Sequence, residues 1–191
     1  ALLVTWPIAR QLEQTSLGSS SGDHTKHLWN LWWIRQSRIS DPEFPLYTHL
    51  LNAPEGIPFW PIEPLHGLAA LALPGLAIAP LSDLLALTNM TLIGVCTAYL
   101  VHALTRSVQA ALASAFLFQV SSFPAFAIEV GVGELQHSWL LSLGALCLWR
   151  LRGRPSLART LLAGGVLGIT PMISFYMGLY TASTATVLAL G

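Results

Sequence analysis

The segment Leu84–Leu104 most constrains the fold, because it is apolar and, apart from His102, uncharged. A hydrocarbon core needs about 20 apolar residues to be crossed by a helix, and this segment is long enough. Ser107–Ile128 is a second segment of the same kind. Only 9% of the chain is charged and 53% is hydrophobic, whereas a soluble domain carries about 25% charged residues. We therefore expect an integral membrane protein.

Further apolar segments follow the same pattern less cleanly. Leu135–Trp149 is short and would span if Arg150 extended its charge to the interface. The segment from Thr160 onward is interrupted by Pro171. Leu65–Pro80 contains glycine and proline, which leaves three alternatives: a thin span, a re-entrant element or an interfacial element. The expected fold class is all-α, a polytopic transmembrane helical bundle.

The chain is expected to form one transmembrane domain over 1–191, truncated at both ends. Its formal net charge is zero, which gives no indication of nucleic acid as a partner. The expected parts are the end of a membrane helix at 1–9, a long external loop at 10–64 with an interfacial helix at 24–38, and membrane helices at 65–191.

The distribution of arginine predicts the orientation. Loops rich in Lys and Arg stay in the cytoplasm. The densest basic stretch follows Trp149 and contains Arg150, Arg152, Arg154 and Arg159. We expect this loop to be cytoplasmic, and the tight turn at Arg106 as well. The loop Glu129–His137 then lies on the outer face, and so does the long segment 10–64, provided that Leu65–Pro80 does not cross the membrane. Asp23 and the Glu134/His137 pair are therefore predicted to share one side of the membrane.

The stretch from Gly22 to Trp33 is the most informative polar motif. It reads Gly-Asp-His-Thr-Lys-His-Leu-Trp-Asn-Leu-Trp-Trp, and Trp prefers the headgroup layer. We expect an interfacial helix that holds Asp23 at the membrane surface, where Asp23 would also suit the N-cap position. The proline-rich segment Asp41–Pro64 is predicted to be extended and rigid, without regular helix or sheet.

A second polar site is predicted at Glu134 and His137, three residues apart at a helix start. Ionisable groups near the hydrocarbon usually face a cavity or a partner; the alternative is a water-exposed helix start, and Glu129 competes for any acidic role. Spacings match no zinc signature, so no cofactor is expected, although five side chains could bind a divalent metal together: Asp23, His24, His27, Glu134 and His137. No nucleotide-binding glycine motif is present.

Four motifs in order resemble a bacterial branch of the GT-C superfamily of membrane glycosyltransferases, in its N-terminal half. They are Gly22-Asp23, His27–Trp33, Pro54-Glu55-Gly56 and Pro64-Leu65-His66-Gly67. The resemblance implies a GT-C-like fold in the bacterial inner membrane with the active-site loop on the outer face. It also implies transfer of a sugar from a polyprenyl-phosphate-linked donor to a glycan, lipid or protein acceptor.

The resemblance further implies that Asp23 is the catalytic base. Two positions depart from better-known members, since His24 follows Asp23 where those often have a second acid, and Glu63 precedes Pro64 where they often have lysine. One alternative is a non-enzymatic polytopic protein, a transporter or an assembly subunit for cell-envelope glycans; another is a metal-dependent membrane hydrolase. The expected substrate-binding residues are His24, Lys26, His27, Asn30, Arg35, Glu63, His66, Glu134, Gln136 and His137.

Overall fold

The computed structural model describes residues 23–40, 47–58 and 63–190, and over these residues the protein is all-α apart from two very short strands. The expected membrane segment at 1–9 and the start of the external loop lie outside the described residues. The helices are α1 (Asp23–Ser40), α2 (Pro64–Ala72), α3 (Ile78–Thr105), α4 (Val108–Gln119), α5 (Ser122–Val130), α6 (Gly133–Gln136), α7 (Trp139–Gly153), α8 (Leu157–Ile173) and α9 (Phe175–Leu190).

Helix α3 is the central element, and it contains the predicted segment Leu84–Leu104. It packs against α4 on one side and α7 on another, and α8 and α9 pack on α7 and on each other. At 1.5 Å per residue, α3 is roughly 42 Å long. It ends at Thr105, and the left-handed φ of 59° at the following residue, Arg106, turns the chain. Ser107 then caps α4 by accepting a hydrogen bond from Ala110 N at 3.2 Å. The tight turn predicted at Arg106 is therefore confirmed.

Two helical segments, Ile78–Thr105 and Val108–Val130, are long and apolar enough to cross a membrane by length and composition. The second is not one straight helix, because α4 and α5 are separated at Val120 and Ser121. Beside that break, the Gln119 amide donates to Met90 O at 2.8 Å. Its side chain lies over Gly94, where a Cβ would collide with it.

The ambiguous segment Leu65–Pro80 is divided between two helices. Helix α2 covers nine residues, a turn follows, and α3 begins at Ile78. Nine residues are too few to cross a hydrocarbon core, so this segment is not a single span. Pro171 also differs from expectation, since it lies inside α8 and the helix continues past it to Ile173.

The proline-rich segment contains a minimal sheet, so the expectation of no sheet is wrong there. Strands β1 (Tyr47–Thr48) and β2 (Ile57–Pro58) pair antiparallel. Pro58 is tolerated because a proline can occupy a strand edge, where its missing N–H is not needed. The hairpin contacts α1 through the Trp33 indole, which donates to Thr48 Oγ1 at 3.0 Å.

Helix α1 packs on α2 and the start of α3 through buried Leu31, Ala70 and Leu81. Trp33 is fully buried and stacks on Trp29, whereas Trp32 is exposed. Trp33 is therefore a packing residue within the protein, and only part of the tryptophan motif is free to face a headgroup layer. This packing fixes the first turns of α1 over the ends of the long helices.

Candidate functional site

The candidate site is centred on Glu63, which directly precedes the proline that starts α2. His66 lies one turn later on the same face, and its Nδ1 is 3.1 Å from Glu63 Oε2. His27 approaches from α1, with Nδ1 3.0 Å from the same oxygen, although its ring is not aligned for a hydrogen bond. Glu63 is 1% exposed, so one buried carboxylate joins two helices that are distant in sequence.

Helices α3 and α7 extend this network. The Asn89 amide Nδ2 donates to His66 Nε2 at 2.9 Å, and the Trp139 indole donates to Asn89 Oδ1 at 2.9 Å. Since an indole N–H can only donate, it fixes the amide orientation, and the amide then presents a hydrogen to His66. His66 Nε2 is therefore unprotonated, and the single proton of a neutral His66 ring lies on Nδ1, facing Glu63.

Two glycines contact the network, Gly131 between α5 and α6 and Gly133 at the start of α6. Gly133 N donates to His27 Nε2 at 3.3 Å, and a Cβ on Gly133 would overlap the Glu63 carboxylate. Gly131 has φ 75°, in the left-handed region, and a Cβ there would strike the backbone of His24. Only glycine allows this close approach of the chain to α1 and α2.

His137 is buried between the His66 and Trp139 rings, at centroid distances of 4.6 and 6.4 Å. It is 1% exposed, and among the described residues neither ring nitrogen has a hydrogen-bond partner. Burial, with His66 acting in the same direction, lowers the pKa of His137 to about 3. His137 is therefore a neutral imidazole with an available lone pair.

Glu63 is ionised at neutral pH. Burial acts to raise its pKa, but His66 and His27 outweigh that and hold the pKa below its usual range. A buried carboxylate normally has a cationic partner, because desolvating a lone charge costs several kcal/mol. The histidines that surround Glu63 thus form its electrostatic environment.

Asp23, Lys26 and Glu134 lie at the edge of this buried network. The Asp23 and Lys26 side chains are 47% and 56% exposed and their charged atoms are 3.7 Å apart, a weak surface pair. Burial raises the pKa of Glu134, and the negative charges of Glu63 and Asp23 add to that shift. The predicted base and the second polar site are therefore neighbours at one end of the helices.

The remaining predicted site residues are His24, Asn30, Gln136 and Arg35, and they lie in three different places. His24 and Asn30 are buried on α1, and burial lowers the pKa of His24. Gln136 lines a small apolar cavity beside Asn89. Arg35 lies away from the network, because its guanidinium donates to three carbonyl oxygens in the last turn of α2 and the turn that follows. They belong to Ala70, Leu73 and Leu76, at 3.2, 3.0 and 2.7 Å respectively.

Sequence reasoning missed four residues of the network: Asn89, Trp139, Gly131 and Gly133. Asn89 carried a usable signal, since a polar amide inside the apolar segment Leu84–Leu104 is costly unless it has partners. The two glycines and Trp139 carried none, because their roles depend on contacts across the fold.

The arginines collect at the other end of α3. A cavity of about 940 Å³ opens there, roughly 20 Å along the helix axis from Asn89. The predicted basic loop and Arg106 therefore form one surface. The lining residues are Tyr99, His102, Ala103, Arg106, Trp149, Arg150, Arg152, Gly153, Arg154 and Arg159.

No protein-family model, no curated protein and no solved structure matches the chain. A functional interpretation therefore depends on the geometry described above and on the motif resemblance. The site-residue assignments drawn from that resemblance stay predictions.

Proposed function

We propose that this chain forms a polytopic membrane glycosyltransferase of GT-C type, which transfers a sugar from a polyprenyl-phosphate-linked donor on the outer face of the bacterial inner membrane. One observation carries the proposal: the half-exposed side chain of Asp23 neighbours Lys26 and Glu134, at the end of α3 opposite the arginine cavity. This is the arrangement expected if the arginines face the cytoplasm and the base faces outward.

The surface of the helices supports a membrane location. Large apolar side chains on α4, α8 and α9 are exposed, among them Leu112, Phe116, Leu161 and Phe175. Soluble monomers rarely expose contiguous apolar surface beyond a few hundred Å². With two helical segments long and apolar enough to cross a bilayer, these side chains are suited to contact lipid. Helix α1, with exposed Trp32 on one side, is then the proposed interfacial helix.

In the proposed mechanism, Asp23 accepts the proton of an acceptor hydroxyl while that oxygen bonds to the anomeric carbon of the donor. The bond from that carbon to the phosphate breaks, and its electron pair leaves with the polyprenyl phosphate. Lys26 lies one helical turn from Asp23 and could neutralise the leaving phosphate. Arg35 would first have to release its three carbonyl partners, so Lys26 is the better candidate.

The burial of Glu63, His66 and His137 assigns them a different role. No substrate reaches side chains that are 1 to 6% exposed. In this conformation these side chains therefore support the residues around the site without contacting substrate. The second candidate function is that of a non-enzymatic polytopic protein of this fold, either a transporter or an assembly subunit for cell-envelope glycans. Such a protein would show the same burial.

The test is glycosyl transfer by the purified full chain in proteoliposomes, with radiolabelled polyprenyl-phosphate mannose and glucose as donors. Asp23→Asn should reduce the rate by about 10² to 10⁴-fold, since a general base contributes that much. Glu55→Gln is the matched control, because Glu55 is an exposed carboxylate on the hairpin. Undiminished transfer by Asp23→Asn would refute the role of Asp23, and no transfer from either donor by the wild-type chain would favour the second candidate.

A further inference from the structure

We propose that Glu63, His66 and His137 bind one divalent metal ion, with Zn²⁺ as the best fit. One ligand atom from each of these residues lies within 4.8 Å of the others, and all three side chains are buried. The inference does not depend on glycosyl transfer, since it rests on the cluster alone.

The first argument is charge. The Glu63 carboxylate is buried, and among the described residues the only potentially cationic side chains beside it are His27 and His66, each charged only when protonated. The hydrogen bonds oppose that state: His66 Nε2 accepts from Asn89, and His27 Nε2 accepts from Gly133. Each ring therefore keeps its lone pair at Nε2 and faces the carboxylate with Nδ1, so that a neutral ring offers at most one N–H there and no full positive charge.

Basic side chains elsewhere do not supply that charge. Lys26 extends to Asp23 on the surface, and Arg35 is held by carbonyls of α2 and the following turn. An uncompensated buried charge is strongly destabilising. A bound divalent cation would remove this imbalance.

The second argument is the set of atoms without partners. In the part of the chain that the structure describes, Glu63 Oε1 and both ring nitrogens of His137 are buried and make no hydrogen bond. A carboxylate oxygen and an imidazole lone pair are ligands that zinc prefers in proteins. Sites with calcium or magnesium use oxygen ligands instead, so a set with two histidines favours zinc.

The third argument is geometry. In a tetrahedral zinc site with bonds of about 2.0–2.1 Å, ligand atoms lie about 3.3 Å apart. The three side chains would therefore have to close by at most about 1.5 Å, which rotamer adjustments can supply. Three protein ligands leave a fourth position open for water or another oxygen.

Coordination through His66 Nδ1 has a consequence for its neighbours. The single proton of neutral His66 must then move from Nδ1 to Nε2, so that Nδ1 can offer its lone pair to the metal. The Asn89 amide must then turn to present its oxygen to Nε2, which removes the acceptor from the Trp139 indole. Asn89 thus orients a ligand, and its loss should weaken zinc binding about 10 to 100-fold, as for other groups that support metal-bound histidines.

The experiment measures zinc binding to the full chain in detergent after removal of metal with EDTA. Zinc per chain is determined by mass spectrometry, and affinity by competition with a chromophoric chelator. Wild type and the control His102→Ala, an exposed histidine at the far end of α3, should bind one equivalent. His137→Ala and Glu63→Gln should bind at least about 100-fold more weakly, and Asn89→Ala should show the smaller loss given above.

Circular dichroism checks that each variant keeps its helices. If His137→Ala does not fold, Glu63→Gln decides, because it keeps the side-chain shape and removes only the charge. A folded wild-type chain that takes up no zinc overturns the proposal and leaves a buried water as the occupant. Equal loss of affinity in His102→Ala would overturn it as well, since binding would then not depend on the cluster.

Discussion

The close approach of Gly131 to α1 gives a prediction that can be worked through from the structure. Replacing Gly131 with alanine forces an L-residue to keep φ at 75°, which costs roughly 1–2 kcal/mol. The new methyl group also strikes the backbone of His24, whose N would lie 2.7 Å away. Overpacking of this kind typically costs about 1–3 kcal/mol. Together these effects should lower the free energy of unfolding by roughly 2–5 kcal/mol.

The measurement is the free energy of unfolding in detergent micelles, from an SDS titration followed by circular dichroism. Gly165→Ala is the matched control, because Gly165 is exposed on α8 and a Cβ there meets no atom within 4 Å. That substitution should stabilise the protein by about 0.5–1 kcal/mol through helix propensity. The reasoning is refuted if Gly131→Ala stays within about 0.5 kcal/mol of wild type, a scatter typical of neutral surface substitutions.

Three further predictions concern the surroundings of the site. Burial raises the pKa of Glu134, so the folded state holds its proton more tightly than the unfolded state does. The free energy of unfolding therefore falls as pH rises above the ordinary carboxyl pKa of 4.5 and through the folded pKa. Glu134→Gln should remove that decline between pH 4 and 8, and an unchanged pH profile would contradict this prediction. Arg35→Ala should lower the free energy of unfolding by about 1.5–3 kcal/mol, because charged hydrogen bonds to carbonyls are lost. Arg35→Lys should recover little of this loss, because an ammonium group cannot reproduce the planar donor geometry of the guanidinium. Full recovery by lysine in the same SDS titration would count against this prediction. Trp33→Phe removes one of the two donors to buried Thr48 Oγ1, the other being Leu50 N, and should cost about 0.5–1.5 kcal/mol. In a double-mutant cycle with Thr48→Val the combined loss should be smaller than the sum of the single losses, and strict additivity would argue that the two side chains do not interact.

The sequence predicted the helices better than the site. Leu84–Leu104 lies inside one long helix and Asp23–Ser40 covers the expected interfacial helix at 24–38, because hydrophobic period and length are local properties. Breaks within apolar segments were less visible. Beside the separation of α4 from α5, Gln119 reaches across to Met90, a contact that no local pattern encodes.

At the site, the sequence identified residues that belong together but not how they are used. Glu63, His66, His27 and His137 were all expected to bind substrate, and the structure joins them in one network that is almost closed to solvent. Residue type indicates that such side chains do chemistry, whereas burial decides which of them a ligand can touch. That information exists only after α1, α2 and α7 are packed together.

The bond between Gly133 and His27 joins residues 106 positions apart, and this separation has a consequence for biosynthesis. Both candidate membrane helices lie inside that loop, so His27 and Glu63 leave the ribosome long before the glycines that cover them. At 5–20 residues per second, the roughly 70 residues from α2 to α7 take about 4–15 s to synthesise. Throughout that interval the Glu63 carboxylate of the nascent chain is not yet covered by the segment that contains Gly133. Closing a loop of this length costs on the order of 4 kcal/mol of chain entropy. The polar cluster is therefore expected to assemble last, after the long helices are inserted, and a chain that stops before Gly133 should never acquire it.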